Sequence, residues 1–294
     1  MKVKYILKGT RPKTLIAAVV PCMAAAGVSL IQHEGVNVKM LLLCLGLAIS
    51  IQIATNFYND AVDYMKGADS KRIGPERITT QDNQSARSVF FVGHAFIFLA
   101  LAFGIPLILH GGIPILILGV LSLYFAYGYT GGPFPLAYLG LGELFVFLFF
   151  GLVATVGTYY LMTLKVSVDI WIIGAEIGLL SSVLIGVNNF RDHETDREVG
   201  KNTLATKLNK SVYLFLMDMF IFCPYLLSMF FVVKYHPIFL VNTLSLIIGM
   251  KISKGLKKIK SLEQCNYFLA MAGKHMAIFC ILFLGASGGY YFLS

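Results

Sequence analysis

Nine apolar runs divide this chain, at residues 14–32, 38–56, 88–109, 112–130, 136–162, 168–189, 211–233, 236–252 and 275–293. Each is long enough to cross a hydrocarbon layer, which takes roughly 17 to 25 helical residues. Inside that layer no water satisfies an amide, so a spanning segment must close its own backbone hydrogen bonds. The pattern predicts an all-α, polytopic membrane protein of about nine transmembrane helices. Composition agrees: 57% of the residues are hydrophobic, 13% are charged and the mean hydropathy is +0.75, far from the profile of a soluble domain.

The distribution of Lys and Arg tests the count, because basic residues collect in cytoplasmic connections. With the N-terminus inside, the cytoplasmic segments hold 21 of the 24 basic residues, and only Lys39, Lys165 and Lys234 fall outside. The predicted location is a multi-pass position in the cell membrane with a cytoplasmic N-terminus. The net charge of +9 then follows from topology and anionic lipid. No basic and aromatic module of a nucleic-acid binder is present.

Other bulk signals exclude more than they assign. The five cysteines (Cys22, Cys44, Cys223, Cys265, Cys280) have no CxxC spacing and four lie inside spans, which reads as packing rather than redox or zinc chemistry. The six histidines form no HxxxH or HxH pair, so a histidine metal site is not expected. The charged start runs directly into a full-length span, and that span is expected to remain as an anchor.

Against this background the stretch "NFYNDAVDYMKGADSKRIGPER", residues 56–77, holds four acids (Asp60, Asp63, Asp69, Glu76) and four bases (Lys66, Lys71, Arg72, Arg77). Asn59, Asp60 and Asp63 lie where the second span meets the cytoplasm, and helical spacing puts both carboxylates on one face. A second stretch, "GVNNFRDHETDREVGKNTLA", repeats the arrangement: Asp192 and Asp196 follow Asn188 and Asn189 at the cytoplasmic end of the sixth span. Asp60 and Asp192 are 132 residues apart, Asp63 and Asp196 133. The chain reads as one membrane-embedded domain, 1–294, of two related halves carrying one motif each, at 56–77 and 188–205.

A single such cluster could be a solvated cap or a topology signal; two copies, each with Asn upstream and Lys or Arg downstream, argue for shared chemistry. Four carboxylates brought together repel unless a cation sits among them. Hard oxygen ligands in that number suit Mg²⁺, which is shared between protein carboxylates and substrate phosphates. A diphosphate is the natural further party, with Lys71, Arg72, Arg77, Arg191 and Lys201 as its donors. Glu143, Glu176 and Asp218 also fall within spans, where ionisable groups mark function or a paired contact. Glu143 follows "YTGGPFPLAYLGLG" on the same side as both clusters.

The pair "NDAVDYMKGAD" and "NNFRDHETDREVGKNTLA" resembles the two aspartate-rich motifs of the UbiA superfamily of intramembrane aromatic prenyltransferases. Within it, "RPKTL" at 11–15, "GADSKRIGPER", "GTYYL" at 157–161 and "GKNTLA" at 200–205 are most similar to the branch that prenylates 1,4-dihydroxy-2-naphthoate in menaquinone synthesis. The resemblance implies a helix bundle whose motifs face each other over a central cavity. Asn59, Asp63, Asp192 and Asp196 match the shared metal-binding pattern, and Asp60 is an additional acid. Where the broader pattern NxxxDxxxD has its last acid this chain has Gly67, with Asp69 two residues later, as in the naphthoate branch.

The resemblance further implies transfer of a polyprenyl group from polyprenyl diphosphate to the aromatic acid, with loss of CO₂ and diphosphate to give demethylmenaquinone. Asp60, Asp63, Asp192, Asp196 and Lys201 would be catalytic. Arg11, Arg191 or Lys201 would place the acceptor's carboxylate, with Asn59, Asn188, Asn189 and Glu143 as further substrate contacts. Two alternatives stay open: another ring such as 4-hydroxybenzoate or homogentisate, and a secondary transporter with repeated halves, whose acids belong nearer the midplane than these.

Overall fold

The structure, a computed structural model, describes residues 3–67, 74, 77–80 and 85–294. Its long helices are α1 (Ile16–Ile31), α2 (Val38–Met65), α3 (Ala86–Gly111), α4 (Ile113–Gly128), α5 (Gly142–Thr163), α6 (Val168–Glu198), α7 (Lys210–Lys234), α8 (Pro237–Lys257) and α9 (Leu262–Leu293). Seven of these are long and apolar enough to span a bilayer, and α1, bent by 50° from the segment Lys4–Thr14, makes an eighth. The run at 112–130 differs from expectation. Gly112, at φ 71, ends α3, and α4 has only 16 residues, about 24 Å at 1.5 Å per residue against a core of roughly 30 Å.

Helix starts follow local chemistry. Asn37, Ser85 and Asn209 accept hydrogen bonds from the backbone N–H of Met40, Ser88 and Val212, each filling one orphan donor of a first turn. Helix ends depend on the tertiary fold. The apolar runs stop near 56 and 189, yet α2 continues to Met65 and α6 to Glu198. Both extensions carry the acidic motifs, and their carboxylates find partners once folded.

Helix α6 is the hub of the second half and packs against α5, α7 and α9, while α2 packs on α3 and α1 on α9. The α5–α6 contact is a backbone contact: a Cβ on Gly151 would lie 2.5 Å from the Gly178 Cα, and one on Gly178 would lie 2.7 Å from the Phe147 carbonyl oxygen. Small residues permit this approach in lipid, where van der Waals packing drives association. Residues Phe147–Val153 of α5 are π-helical at this point. At the end opposite the motifs, Asp169 on α6 accepts hydrogen bonds from Lys234 (2.8 Å), Tyr235 (2.9 Å) and Gln32 (2.7 Å). A charge at a bundle end is thereby fully paired.

Candidate active site

The first motif is assembled around Arg77. Its guanidinium donates to the Asn59 carbonyl at 2.7 Å, to Asp60 at 3.2 Å and to Asp63 at 2.6 Å, so the helical spacing of the two acids is read by one fork. Arg11 also pairs with Asp60. It reaches there because Asn56 donates to the Thr10 carbonyl at 3.0 Å, holding the N-terminal segment against α2, and because Arg11 takes a left-handed φ of 48. On the other flank, Thr130 donates to the Asn59 side chain and Tyr138 to Asp63 at 2.9 Å. Burial, and after it the Asp63 carboxylate, push the Tyr138 phenol above its usual range, which keeps it a donor.

Among the described residues, the second motif is assembled mostly from its own helix. Arg191 is buried and grips Asp192 with two bonds of 2.7 Å, while also donating to Asn188 at 2.7 Å and to Asn266 of α9 at 2.9 Å. Lys201 lies 3.3 Å from Asp196, carried back by the turn in which Gly200 takes φ 71 and the Lys201 N–H bonds the Asp196 carbonyl. The second carboxylate oxygen of Asp196, Oδ2, is buried without a hydrogen-bond partner. Asn189 donates to Glu143 at 2.9 Å, and Tyr213 donates to the same oxygen at 2.9 Å.

A cavity of about 330 Å³ runs from these motifs into the bundle. Arg11, Asn59, Asp63, Arg77, Asn188, Asn189 and Lys201 line it at one end, and Cys22, Cys44, Leu118, Phe149 and Leu161 at the other. One end is charged and the rest is mostly apolar. Asp60, Asp192, Asp196, Arg191 and Glu143 do not line it; they stand behind it, holding residues that do. Asp69, Lys71 and Arg72 lie outside the described residues. Among those described, no three His, Cys, Asp or Glu side chains cluster tightly enough to hold a metal ion by themselves, because arginines and Lys201 already stand between the carboxylates.

Sequence reasoning missed Tyr138 and Thr130. Tyr138 joins the two motifs: its hydroxyl reaches Asp63, its carbonyl accepts from the Asn202 N–H at 3.1 Å, and its ring lies under Lys66 and Lys201, 3.9 and 5.7 Å from their ammonium groups. Its stretch, "YTGGPFPLAYLGLG", stood out only for leading to Glu143. Nothing local in it announces a contact 75 residues away.

A membrane helix bundle around a cavity with acids and bases at one end and apolar walls beyond is the architecture of an intramembrane prenyltransferase. The sequence model of the UbiA prenyltransferase family matches residues 18–278, and the chain belongs to that family. It is 36% identical over 205 residues to the 1,4-dihydroxy-2-naphthoate octaprenyltransferase of Mycobacterium tuberculosis, covering 69% of each chain. To the protein of the same name from Escherichia coli it is 35% identical over 212 residues, covering 69% of this chain and 68% of that one. The fold is similar to that of a UbiA homolog from Archaeoglobus fulgidus bound to GPP and Mg²⁺, with a TM-score of 0.64 at 16% identity over 96% of this chain and 99% of the other.

Proposed function

We propose that this protein transfers a polyprenyl group from polyprenyl diphosphate to 1,4-dihydroxy-2-naphthoate, releasing diphosphate and CO₂ and giving demethylmenaquinol, the hydroquinone form of demethylmenaquinone. The observation that carries the reading is the two-ended cavity: charged at the motifs, mostly apolar for the rest of its length. A substrate that fits it has an anionic head and a long apolar tail. Naphthoate as the acceptor is supported by the relatives that carry that name at 35–36% identity.

The residues present suit Mg²⁺. Asn59 and Asp63 offer hard oxygens to the cavity and Asp196 keeps a buried Oδ2 without a partner. Mg²⁺ usually takes one or two carboxylates together with substrate phosphates, not an all-protein cage. When bound, the metal neutralises charge on the departing diphosphate. The chain's part is to hold the head: Arg77 fixes Asp60 and Asp63, Arg191 fixes Asp192 and Asn188, and Lys201 presents a cation to the cavity.

As the allylic C–O bond breaks, the apolar walls keep water from the prenyl cation. The ring carbon bearing the carboxylate attacks that cation and loses CO₂, which restores aromaticity without a further proton transfer. Lys201 or Arg11 pairs with the acceptor's carboxylate until it leaves. The motifs face the cytoplasm, as does the N-terminus, in keeping with the 21 basic residues assigned to that side.

The experiment is a mass-spectrometric assay of lipid-embedded protein with polyprenyl diphosphate, Mg²⁺ and carboxyl-labelled 1,4-dihydroxy-2-naphthoate. Prenylated product and labelled CO₂ should appear together. Turnover only with 4-hydroxybenzoate or homogentisate would keep the family and discard this acceptor.

A further inference from the structure

Far from the motifs, the interior of the second half holds a carboxyl group that no other side chain pairs with. Glu176 lies 16 positions before Asp192 on α6, about 24 Å along the axis at 1.5 Å per residue. It is 0% exposed, and neither of its oxygens has a hydrogen-bond partner. It forms no ion pair among the described residues. An ionised carboxylate in such a place is far costlier than the neutral acid, so the group seeking partners is a carboxylic acid with one donor and further acceptor capacity.

Its surroundings are polar on three other helices. Ser228 of α7 approaches the Glu176 carboxyl without closing a well-aligned bond, and Tyr225 lies one turn earlier on the same face of α7. The Tyr225 hydroxyl lies 2.7 Å from Ser245 of α8 and 2.6 Å from Nε2 of His275 on α9. Ser245 gives its only proton to the Asn242 carbonyl at 2.7 Å, so it accepts from Tyr225. Tyr225 then has no proton left, and Nε2 of His275 must be the donor in that contact. His275 is thereby the Nε2–H tautomer, with a bare acceptor at Nδ1.

That acceptor is unmet: His275 Nδ1 is buried without a partner, as are the Ser228 hydroxyl and both polar atoms of the Asn242 side chain. Asn242 and Ser245 stand three residues apart in the 3₁₀ opening of α8, Pro237–Ser245, where such positions eclipse. Asn242 therefore shares the face that meets Tyr225. Buried polar atoms without a side-chain partner thus stand on α6, α7, α8 and α9, linked through Ser228, one turn from Tyr225, and Asn242, one turn from Ser245. None of these residues lines the catalytic cavity.

Buried polar atoms in folded proteins are nearly always paired, and ordered water supplies the partner where side chains do not. We propose that Glu176, Ser228, Asn242 and the Tyr225–Ser245–His275 chain enclose an internal water site, walled off from the catalytic cavity, that fastens α6 to α7, α8 and α9. The occupant is water rather than a metal cation. Donors and acceptors are mixed around the site, and Glu176 is its single acid.

Hydroxyl-radical footprinting of the lipid-embedded protein tests this, because X-ray pulses create radicals wherever water is held, including inside. Tyr225 and His275 should be oxidised while the buried Phe231 and Phe283 are not. Replacing Glu176→Leu, Ser228→Ala and Asn242→Leu together should abolish that labelling and leave prenyl transfer in place. Tyr225 and His275 as silent as Phe231 in the unaltered protein would overturn the proposal, and that arm needs no variant to fold.

Discussion

Asp60 and Asp63 draw their counter-charges from far along the chain: Arg77, 14 to 17 residues on, Arg11, 49 residues before Asp60, and the Tyr138 hydroxyl, 75 residues beyond Asp63. Asp192 and Asp196 draw theirs from Arg191 next door and Lys201 five residues on. The near-equal spacing of the motifs hides this asymmetry. The first is a tertiary device that gathers the N-terminal segment, α2 and the 129–141 connection around the cavity mouth. Among the described residues the second finds its charged partners within its own helix and turn, and its long-range donations run from Arg191 to Asn266 and from Asn189 to Glu143.

The most severe test treats both motifs alike. Chelating divalent cations should abolish turnover, and restoring Mg²⁺ should recover it; prenyl transfer that persists in chelator would remove the reason for pairing the motifs at all. Next in size is Asp63→Asn, which should lower kcat by about 10² to 10³, whereas Asp192→Asn, lying behind the cavity, should cost less in the same assay. Equal losses would break the asymmetry.

Lys201→Met should raise KM for the aromatic acid by roughly tenfold or more, the worth of one charge-assisted hydrogen bond. An unchanged KM would move the acceptor's carboxylate to Arg11. Arg77→Met removes a partner shared by two buried carboxylates and Arg191→Met removes a partner of one. With roughly 3–5 kcal/mol for breaking a buried pair, both should lower the thermal midpoint in detergent, Arg77→Met by more. Smallest is Tyr138→Phe: loss of one neutral-donor bond, about 1 kcal/mol, should reduce kcat/KM a fewfold and leave the melting temperature nearly unmoved.

This contrast also marks what was legible beforehand. Apolar run length placed the helices, and the i, i+3 spacing of Asp60 and Asp63 was a real shared face because α2 continues through Met65. Hydropathy put the end of that helix at 56, since it cannot weigh carboxylates that will be neutralised by Arg77 and Arg11 after folding. Nearness in sequence makes Arg77 and Arg191 equal candidates for donors to diphosphate. Only Arg77 lines the cavity, for Arg191 turns its fork to the adjacent Asp192. The span at 112–130 looked full-length because composition does not register how a left-handed Gly112 and Pro114 shorten a helix. Tyr138 was out of reach, since its meaning lies in a contact between segments with no common period.

The π-helical stretch in α5 sets a rotational phase. An α-helix turns about 100° per residue at 3.6 residues per turn, and a π turn takes up extra chain. Glu143 before the stretch meets Asn189 and Tyr213, while Gly151 within it meets Gly178 backbone to backbone. Both contacts are made with the same helix or its neighbour, and a uniform α-helix would rotate one away as it seated the other. Forcing residues 147–153 into a plain α-helix without removing one would leave α5 able to cross the membrane but turned by about 100°, out of step with its own site.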